Sequence, residues 1–312
     1  MGGTPYDWSY KNIQYWNYIN IRQTHILPSL KEGSFFMKKV VTMQDISCVG
    51  KCSLTVALPV LSAMGIETAV IPTAVLSTHT MFQGFTFHDL TKEIIPIMEH
   101  WKKEGFHFDA VYTGYLGLFE QLDCAARLFD EFGSDSLKIV DPCMADNGKL
   151  YAGFTLEFAK EMAKLCAKAD IICPNLTEAS FLLDIPYVTS YDEEYIKGVL
   201  KKLTSLGAKK AVITGVTFDS VHLGAYAYDS EADRYLSYFT DEETQHFHGT
   251  GDIWASTMCG ALVNGKTFDE AIAIACDYVK ECIHVTLKET NHNNYGVNFE
   301  EVIPYLIKRL YA

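Results

Sequence analysis

Phe247-His248-Gly249-Thr250-Gly251-Asp252-Ile253-Trp254-Ala255-Ser256 joins a glycine turn to a long apolar run. A Gly-x-Gly turn leaves backbone N–H groups unscreened by side chains. If a helix starts there, its first amides have no intrahelical partner and point at whatever lies in front of them. The helix dipole adds to this, and the result is an anion site. An aspartate is a poor choice for merely holding an anion, because like charges repel. It fits a base that takes a proton from an attacking hydroxyl while the neighbouring amides hold a transferring phosphoryl group. The bland alternative is a glycine-rich helix start with Asp252 as a capping residue.

Outward from this turn the pattern is regular. Downstream, Ile253–Asn264, Phe268–Leu287 and Phe299–Leu310 have helical periodicity. Just upstream, Leu223–Tyr228 and Arg234–Phe239 read as a hairpin. Further back, Val40–Ile46, Thr68–Thr73, Ala110–Tyr115, Leu137–Asp141, Asp170–Asn175 and Lys210–Gly215 are short Val/Ile-rich runs, the pattern of buried strands. Amphipathic stretches separate them: Ser53–Met64, Leu90–Glu104, Glu120–Phe132, Leu156–Lys168 and Glu193–Leu206. Such alternation predicts an α/β fold with a mostly parallel sheet and helices on both faces. In open parallel sheets the ligand crevice lies beyond the carboxyl ends of the strands. The polar residues ending these runs are Asp45, Thr80 with His79, Tyr115, Asp141, Asn175 with Glu178, and Thr214. All are expected to open onto one rim together with Asp252.

Composition narrows the class. The 312 residues are 48% hydrophobic and 21% charged, which suits one large α/β domain. A net charge of −13 argues against nucleic acid and anionic membrane surfaces as partners. It does not argue against a phosphate ligand held by a local nest of amides. The nine cysteines are an odd number among apolar neighbours, the pattern of reduced thiols in a cytoplasmic protein. Cys48 and Cys52 are spaced like half a metal site without a second pair. No run approaches the ~18 apolar residues of a membrane span. Residues 1–36 carry scattered Tyr and Trp without a clear period, and Met37-Lys38-Lys39-Val40 reads like a fresh N-terminus. They are expected to be a leader from a non-native start or a disordered arm, with the catalytic domain at 37–312. The alternative is an aromatic arm packed on the domain or on a second subunit.

Five ordered motifs resemble the ribokinase-like superfamily, and within it the pyridoxal/pyridoxamine (vitamin B6) kinases. They are Leu76-Ser77-Thr78-His79-Thr80, Tyr112-Thr113-Gly114-Tyr115, Val140-Asp141-Pro142-Cys143-Met144-Ala145-Asp146, Ala169-Asp170-Ile171-Ile172-Cys173-Pro174-Asn175-Leu176-Thr177-Glu178 and the Gly249–Asp252 turn. Cys143 and Ala145 depart from the family's Val and Gly, and His248 stands where a small apolar residue is common. Asp45 stands where many B6 kinases carry Ser and hydroxymethylpyrimidine kinases carry Asp. The Gly-Gly-Ala-Gly of the latter is missing, replaced by Val49-Gly50-Lys51-Cys52-Ser53.

The resemblance implies a three-layer α/β/α fold. The span from Ile46 to Thr68 leaves no room for the large lid of the sugar kinases. It implies transfer of the γ-phosphoryl of ATP to the 5′-hydroxyl of a B6 vitamer. Asp252 would be the general base, with Gly249, Thr250 and Gly251 forming the anion hole. Asp141 and Glu178 would hold Mg²⁺, partly through water. Asn175 and Thr214 would contact the ATP phosphates. Tyr115 would lie over the pyridine ring, and Asp45 and Thr80 would meet its polar atoms. For His79 a ligand contact and a structural role both stay open. Assistance by a monovalent cation is left open, and a homodimer is implied. Lys51, Lys149, Met144 and Trp254 are left out of the site. The rival readings are a hydroxymethylpyrimidine or dual-specificity kinase and a non-catalytic B6-binding protein.

Overall fold

The first strand, β1 (Lys39–Ser47), is apolar or buried along almost its whole length, as a strand covered on both faces must be. The computed structural model describes residues 37–312, except 220, 246 and 294, and the expectation for residues 1–36 lies outside the described residues. The chain continues through α1 (Leu54–Ala63), β2 (Glu67–Leu76), β3 (Phe87–Asp89), α2 (Thr91–Glu104), β4 (Ala110–Thr113), α3 (Phe119–Phe132) and β5 (Leu137–Val140). A small hairpin follows, β6 (Ala145–Asp146) and β7 (Lys149–Leu150), then α4 (Leu156–Cys166), β8 (Ile171–Ile172), α5 (Leu176–Leu182) and α6 (Glu193–Thr204). The last elements are β9 (Lys210–Val216), β10 (His222–Asp229), β11 (Arg234–Asp241), α7 (Thr250–Val263), α8 (Phe268–Leu287) and α9 (Phe299–Leu310).

Nine strands form one sheet in the order β11-β10-β9-β8-β5-β4-β1-β2-β3. The pairs from β2 to β9 are parallel, and antiparallel strands flank them on both sides. From β1 the chain goes to β2 on one side and β4 on the other. That makes the β1/β4 junction a topological switch point, where a crevice opens beyond the strand ends. One face is covered by α1, α7, α8 and α9, with Val60, Leu61, Ile253, Met258, Ile272 and Leu306 in its core. The other core lies under α2 to α6, around Met98, Leu128, Phe158, Met162, Ile196 and Leu200. Among the described residues this is the three-layer α/β/α arrangement without a large lid domain. Among the described residues no helix is long and apolar enough to cross a membrane.

Some boundaries differ from the sequence reading. β2 runs three residues past Thr73, because β3 pairs with its end at Ala74, Val75 and Leu76. The Asp170–Asn175 run shrinks to β8. Pro174 has no N–H to donate to a ladder, and Asn175 keeps only a single bridge to Thr214. The Asn147-Gly148 turn closes the small hairpin with both φ values positive, 51° and 76°. Those angles suit a type I′ connection.

Candidate active site

Gly249 is the N-cap of α7, with φ 78°. A Cβ there would lie 1.7 Å from the Lys51 carbonyl oxygen, so only glycine fits at this close approach. The first helical bond runs from the Ile253 amide to the Gly249 carbonyl, at 3.0 Å. The amides of Thr250, Gly251 and Asp252 come before it and have no intrahelical acceptor. The Thr250 hydroxyl donates to the Phe247 carbonyl at 3.1 Å, so this side chain ties down the turn and leaves its amide for a ligand. A side chain on Gly251 would meet nothing within 4 Å.

Asp252 is buried, and its Oδ1 has no hydrogen-bond partner among the described residues. Burial first, and then the nearby Asp45 carboxylate, push its carboxyl up to about 7. The Ser53 amide opposes that rise. A carboxyl poised near neutrality at the head of an amide nest suits proton abstraction from an alcohol.

Asp141 and Glu178 line the same cleft as Asp252. Asp141 follows β5 and its amide donates to the Thr113 carbonyl at 2.9 Å. Glu178 sits in the first turn of α5 and closes a capping box with Asn175. The Glu178 amide donates to Asn175 Oδ1 at 2.8 Å, and the Asn175 amide donates to Glu178 Oε2 at 2.9 Å. The Met144 amide donates to Glu178 Oε1 at 3.1 Å. Burial pushes Glu178 up to about 8 despite these amides. Asp141 is pushed well above the carboxylate range by burial, then by Glu178, then by Asp252. Among the described residues no lysine or arginine pairs with any of the three. Buried, mutually repelling oxygen donors without a counter-charge are what a hard dication relieves. No ready-made cluster of three His, Cys, Asp or Glu side chains exists among the described residues. Mg²⁺ needs none, since it commonly takes one or two carboxylates and completes its shell with water and phosphate.

These groups open onto a cleft of about 560 Å³. Asn175 and Thr214 line it, as do Asp141, Glu178 and the Gly249–Asp252 turn. The Asn175 side chain is already engaged at both ends, since its Nδ2 donates to the Ala145 carbonyl at 2.9 Å. These two bonds organise the strand end and the hairpin. The sequence reading missed the apolar wall of the cleft, formed by Leu223, Trp254, Val279 and Ile283. Apolar periodicity alone does not separate a cleft wall from core, so no signal marked Leu223, Val279 and Ile283, and Trp254 was set aside as a packing residue.

Asp45 and Tyr115 lie outside that lining, and the Asp45 charge acts on both Asp252 and Tyr115. The β1–β2 register slips between Gln44 and Ile46, and Asp45 sits in that irregularity, which re-aims side chains at a strand end. Asp45 is 3% exposed and accepts a hydrogen bond from the Ser47 hydroxyl at 3.0 Å. Burial raises its carboxyl, and the Ser53 and Ser47 hydroxyls oppose the rise. Tyr115 is half-buried with its ring edge-on to Phe154 at 5.5 Å. Burial and then the Asp45 charge push its phenol up.

His79 is buried, and its Nδ1 accepts from the Met81 amide at 3.2 Å. Its ring lies 5.6 Å from that of His248, and burial, then His248, lower its pKa. Its Nε2 is buried without a hydrogen-bond partner among the described residues. Thr80 is exposed at the start of the following turn. His248 is exposed. Lys51 is turned away toward Glu300, at 2.8 Å, and Asn298.

Comparison with known proteins decides the family. Residues 57–298 match the phosphomethylpyrimidine kinase family, over three quarters of the chain. The chain belongs to this family. The kinase is 28% identical over 203 residues to the hydroxymethylpyrimidine/phosphomethylpyrimidine kinase of Bacillus subtilis, covering 64% of this chain and 72% of that one. It superposes with TM-score 0.83 on a crystal structure with pyridoxal, of a Bacteroides thetaiotaomicron protein provisionally assigned as a phosphomethylpyrimidine kinase. Identity there is 38%, over 87% of this chain and 96% of the other. The pyridoxal kinase of Lactobacillus plantarum superposes with TM-score 0.81 at 30% identity, over 87% and 97%. The fold is therefore ribokinase-like, and the kinase is a phosphotransferase acting on an alcohol group.

Proposed function

We propose that this kinase transfers the γ-phosphoryl group of ATP to the 5′-hydroxymethyl group of pyridoxal, pyridoxamine or pyridoxine. The observation that carries the reading is the buried, unpartnered Oδ1 of Asp252. It lines the cleft at the head of the α7 amides, where the Asp45 charge also reaches it. A non-catalytic binder has no need of such a base.

The vitamer ring lies against Tyr115, which supplies apolar area and fixes orientation. Asp45 accepts a hydrogen bond from a polar ring atom. The primary hydroxyl then faces Asp252, which takes its proton as the oxygen attacks in line. The amides of Gly249, Thr250 and Gly251 hold the charge on the transferring group. Leu223, Trp254, Val279 and Ile283 form the apolar wall for the nucleotide base. Thr214 faces the phosphates, and Asn175 acts on them through the strand end that it organises. Asp141 and Glu178 hold Mg²⁺, which when bound neutralises phosphate oxygens. The position of Thr80 gives it no part in the reading, and His79 serves to pack the turn beside the site. The resemblance and the thiol-rich composition support a cytoplasmic homodimer.

A second reading, hydroxymethylpyrimidine as the alcohol, is favoured by Asp45 and by the Bacillus subtilis relative. A coupled ADP-release assay with Mg-ATP, at equal concentrations of the three vitamers and hydroxymethylpyrimidine, separates them. Turnover on the vitamers is expected to dominate. Preferred turnover of hydroxymethylpyrimidine reverses the assignment, and binding without turnover of any of them leaves a B6-binding protein.

A further inference from the structure

Gln121 lies in the first turn of α3 and is 1% exposed. The N-cap of that helix, Leu118, makes no side-chain capping bond. A glutamine at the third helical position ordinarily reaches back to the N-cap amide. Gln121 reaches one residue further, and its Oε1 accepts from the Gly117 amide at 2.8 Å. Its Nε2 points the other way, donating to the Thr91 hydroxyl at 2.9 Å and to the Thr73 carbonyl at 3.2 Å. The Thr91 hydroxyl in turn donates to the Asp89 carboxylate. A backbone N–H only donates and a carbonyl only accepts, so these partners fix which end of the Gln121 amide is which. One buried side chain thus ties the turn after β4 to β2 and to the start of α2.

That turn carries Tyr115. A Cβ on Gly117 would lie 3.3 Å from Tyr115 Cε1, so the Gly117 backbone packs against the tyrosine ring. Leu116, the residue between them, is fully buried. At the other end of the turn, a Cβ on Gly114 would lie 2.6 Å from Gln44 Oε1. The Gly114 amide donates to the Met43 carbonyl at 3.3 Å. The turn is therefore pinned to β1 through Gly114, and to β2 and α2 through Gln121. A shift of Gly117 moves the surface on which the Tyr115 ring rests.

We propose that Gln121 is a positioning residue for the vitamer, setting the Tyr115 ring through its bond to the Gly117 amide. Gln121 itself is not part of the cleft lining. The proposal rests on the reading of Tyr115 as the residue over the vitamer ring. It adds a side chain that carries no charge, lies in none of the five motifs and acts through the backbone.

The test uses the full chain with Gln121→Met and Gln121→Glu. Methionine is of similar length and makes neither bond. Glutamate keeps an oxygen for the Gly117 amide but loses the Nε2 donor, with the Asp89 carboxylate 3.5 Å from that position. Pyridoxal Kd by calorimetry, KM for pyridoxal and for ATP, kcat and the melting temperature are measured for each. Gln121→Met is expected to raise the pyridoxal Kd and KM about fivefold, within the range of one lost hydrogen bond. Its kcat and ATP KM are expected to stay within about twofold, because the base and the nucleotide side are untouched. Gln121→Glu is expected to melt below the wild type and still hold the pyridoxal Kd within about twofold, since its Gly117 bond survives. In a Tyr115→Ala background the effect of Gln121→Met on the pyridoxal Kd is expected to shrink below about twofold, as it must for a residue that acts through another. An undiminished effect in that background overturns the proposal. So does a pyridoxal affinity that simply follows the melting temperature in both variants, which leaves Gln121 a structural residue. Should either variant fail to fold, Gly117→Ala and Thr91→Val repeat the contrast. The first crowds the ring at the Gly117 contact, and the second weakens the network while leaving the Gly117 bond. Only the first is expected to raise the pyridoxal Kd, and equal effects of the two overturn the proposal. Wild-type protein that binds no vitamer overturns both the proposal and the function it rests on. Wild-type protein that binds pyridoxal, with an unchanged Kd in Gln121→Met, overturns the Gln121 proposal alone.

Discussion

Asp252 must be a carboxylate to accept a proton, yet its surroundings favour the carboxylic acid. Its folded-state value of about 7 lies above the ordinary 3.8. The folded chain therefore holds this proton over a pH range in which the unfolded chain has released it. Stability falls as pH rises from about 4 to about 7, and the whole cost is present above that. Asp252→Asn is expected to lower kcat at least about 10²-fold with vitamer binding retained. In the metal-free protein without substrate, the same variant is expected to melt above the wild type at pH 8, the gap closing toward pH 4. An unchanged kcat removes Asp252 from the mechanism, and a pH-independent gap removes the burial argument. Tyr115→Ala is expected to raise the vitamer KM about tenfold with kcat little changed, because stacking area is lost and the base is not. A fall in melting temperature with an unchanged KM makes Tyr115 a packing residue. At this scale the sequence showed which residue types stood at the strand ends, and of these Asp141 and Asp252 line the cleft while Asp45 and Tyr115 do not. It did not show that Thr80 faces solvent, because one residue of turn geometry reverses where a side chain points.

Among the elements, α5 shows how one helix start serves both fold and site. Its capping box uses Asn175 and Glu178, residues that the motif resemblance assigned to ligands. Asn175→Ala is expected to cost about 1–2 kcal/mol of stability, read by urea denaturation, because it removes the cap oxygen and the bond to the Ala145 carbonyl. Its effect on the ATP KM is expected to be a smaller consequence of the displaced hairpin. A large ATP KM change at unaltered stability restores Asn175 as a direct phosphate contact. The helices were legible because apolar spacing sets a buried face locally. The edge strand β3 and the hairpin β6–β7 were not, because three residues or fewer carry no period to read, and β8 was read too long. The engagement of the Asn175 amide was hidden for a different reason, since one partner is 30 residues away in sequence.

Over the whole molecule, Asp45, Asp141, Glu178 and Asp252 converge from β1, β5, α5 and α7, and burial raises all four. Bringing them together is an electrostatic cost that cation binding offsets, and a ligand that binds only the folded chain stabilises it. Mg²⁺ is expected to raise the melting temperature at pH 8 relative to EDTA, and Asp141→Asn is expected to remove most of that rise. EDTA is expected to abolish turnover. An equal Mg²⁺ response in the wild type and Asp141→Asn moves the metal elsewhere. By itself the sequence determined the alternation of strands and helices, the glycine turn before α7 and the carboxylates that face the crevice. Those follow from local periodicity, steric freedom at glycine and the direction of parallel strands. Only the tertiary structure decided that Asp45 and Tyr115 lie outside the cleft lining and that apolar residues of β10, α7 and α8 wall it. Those depend on strand order, on a register slip in β1 and on burial summed over distant segments, none of which is written in any one stretch of chain.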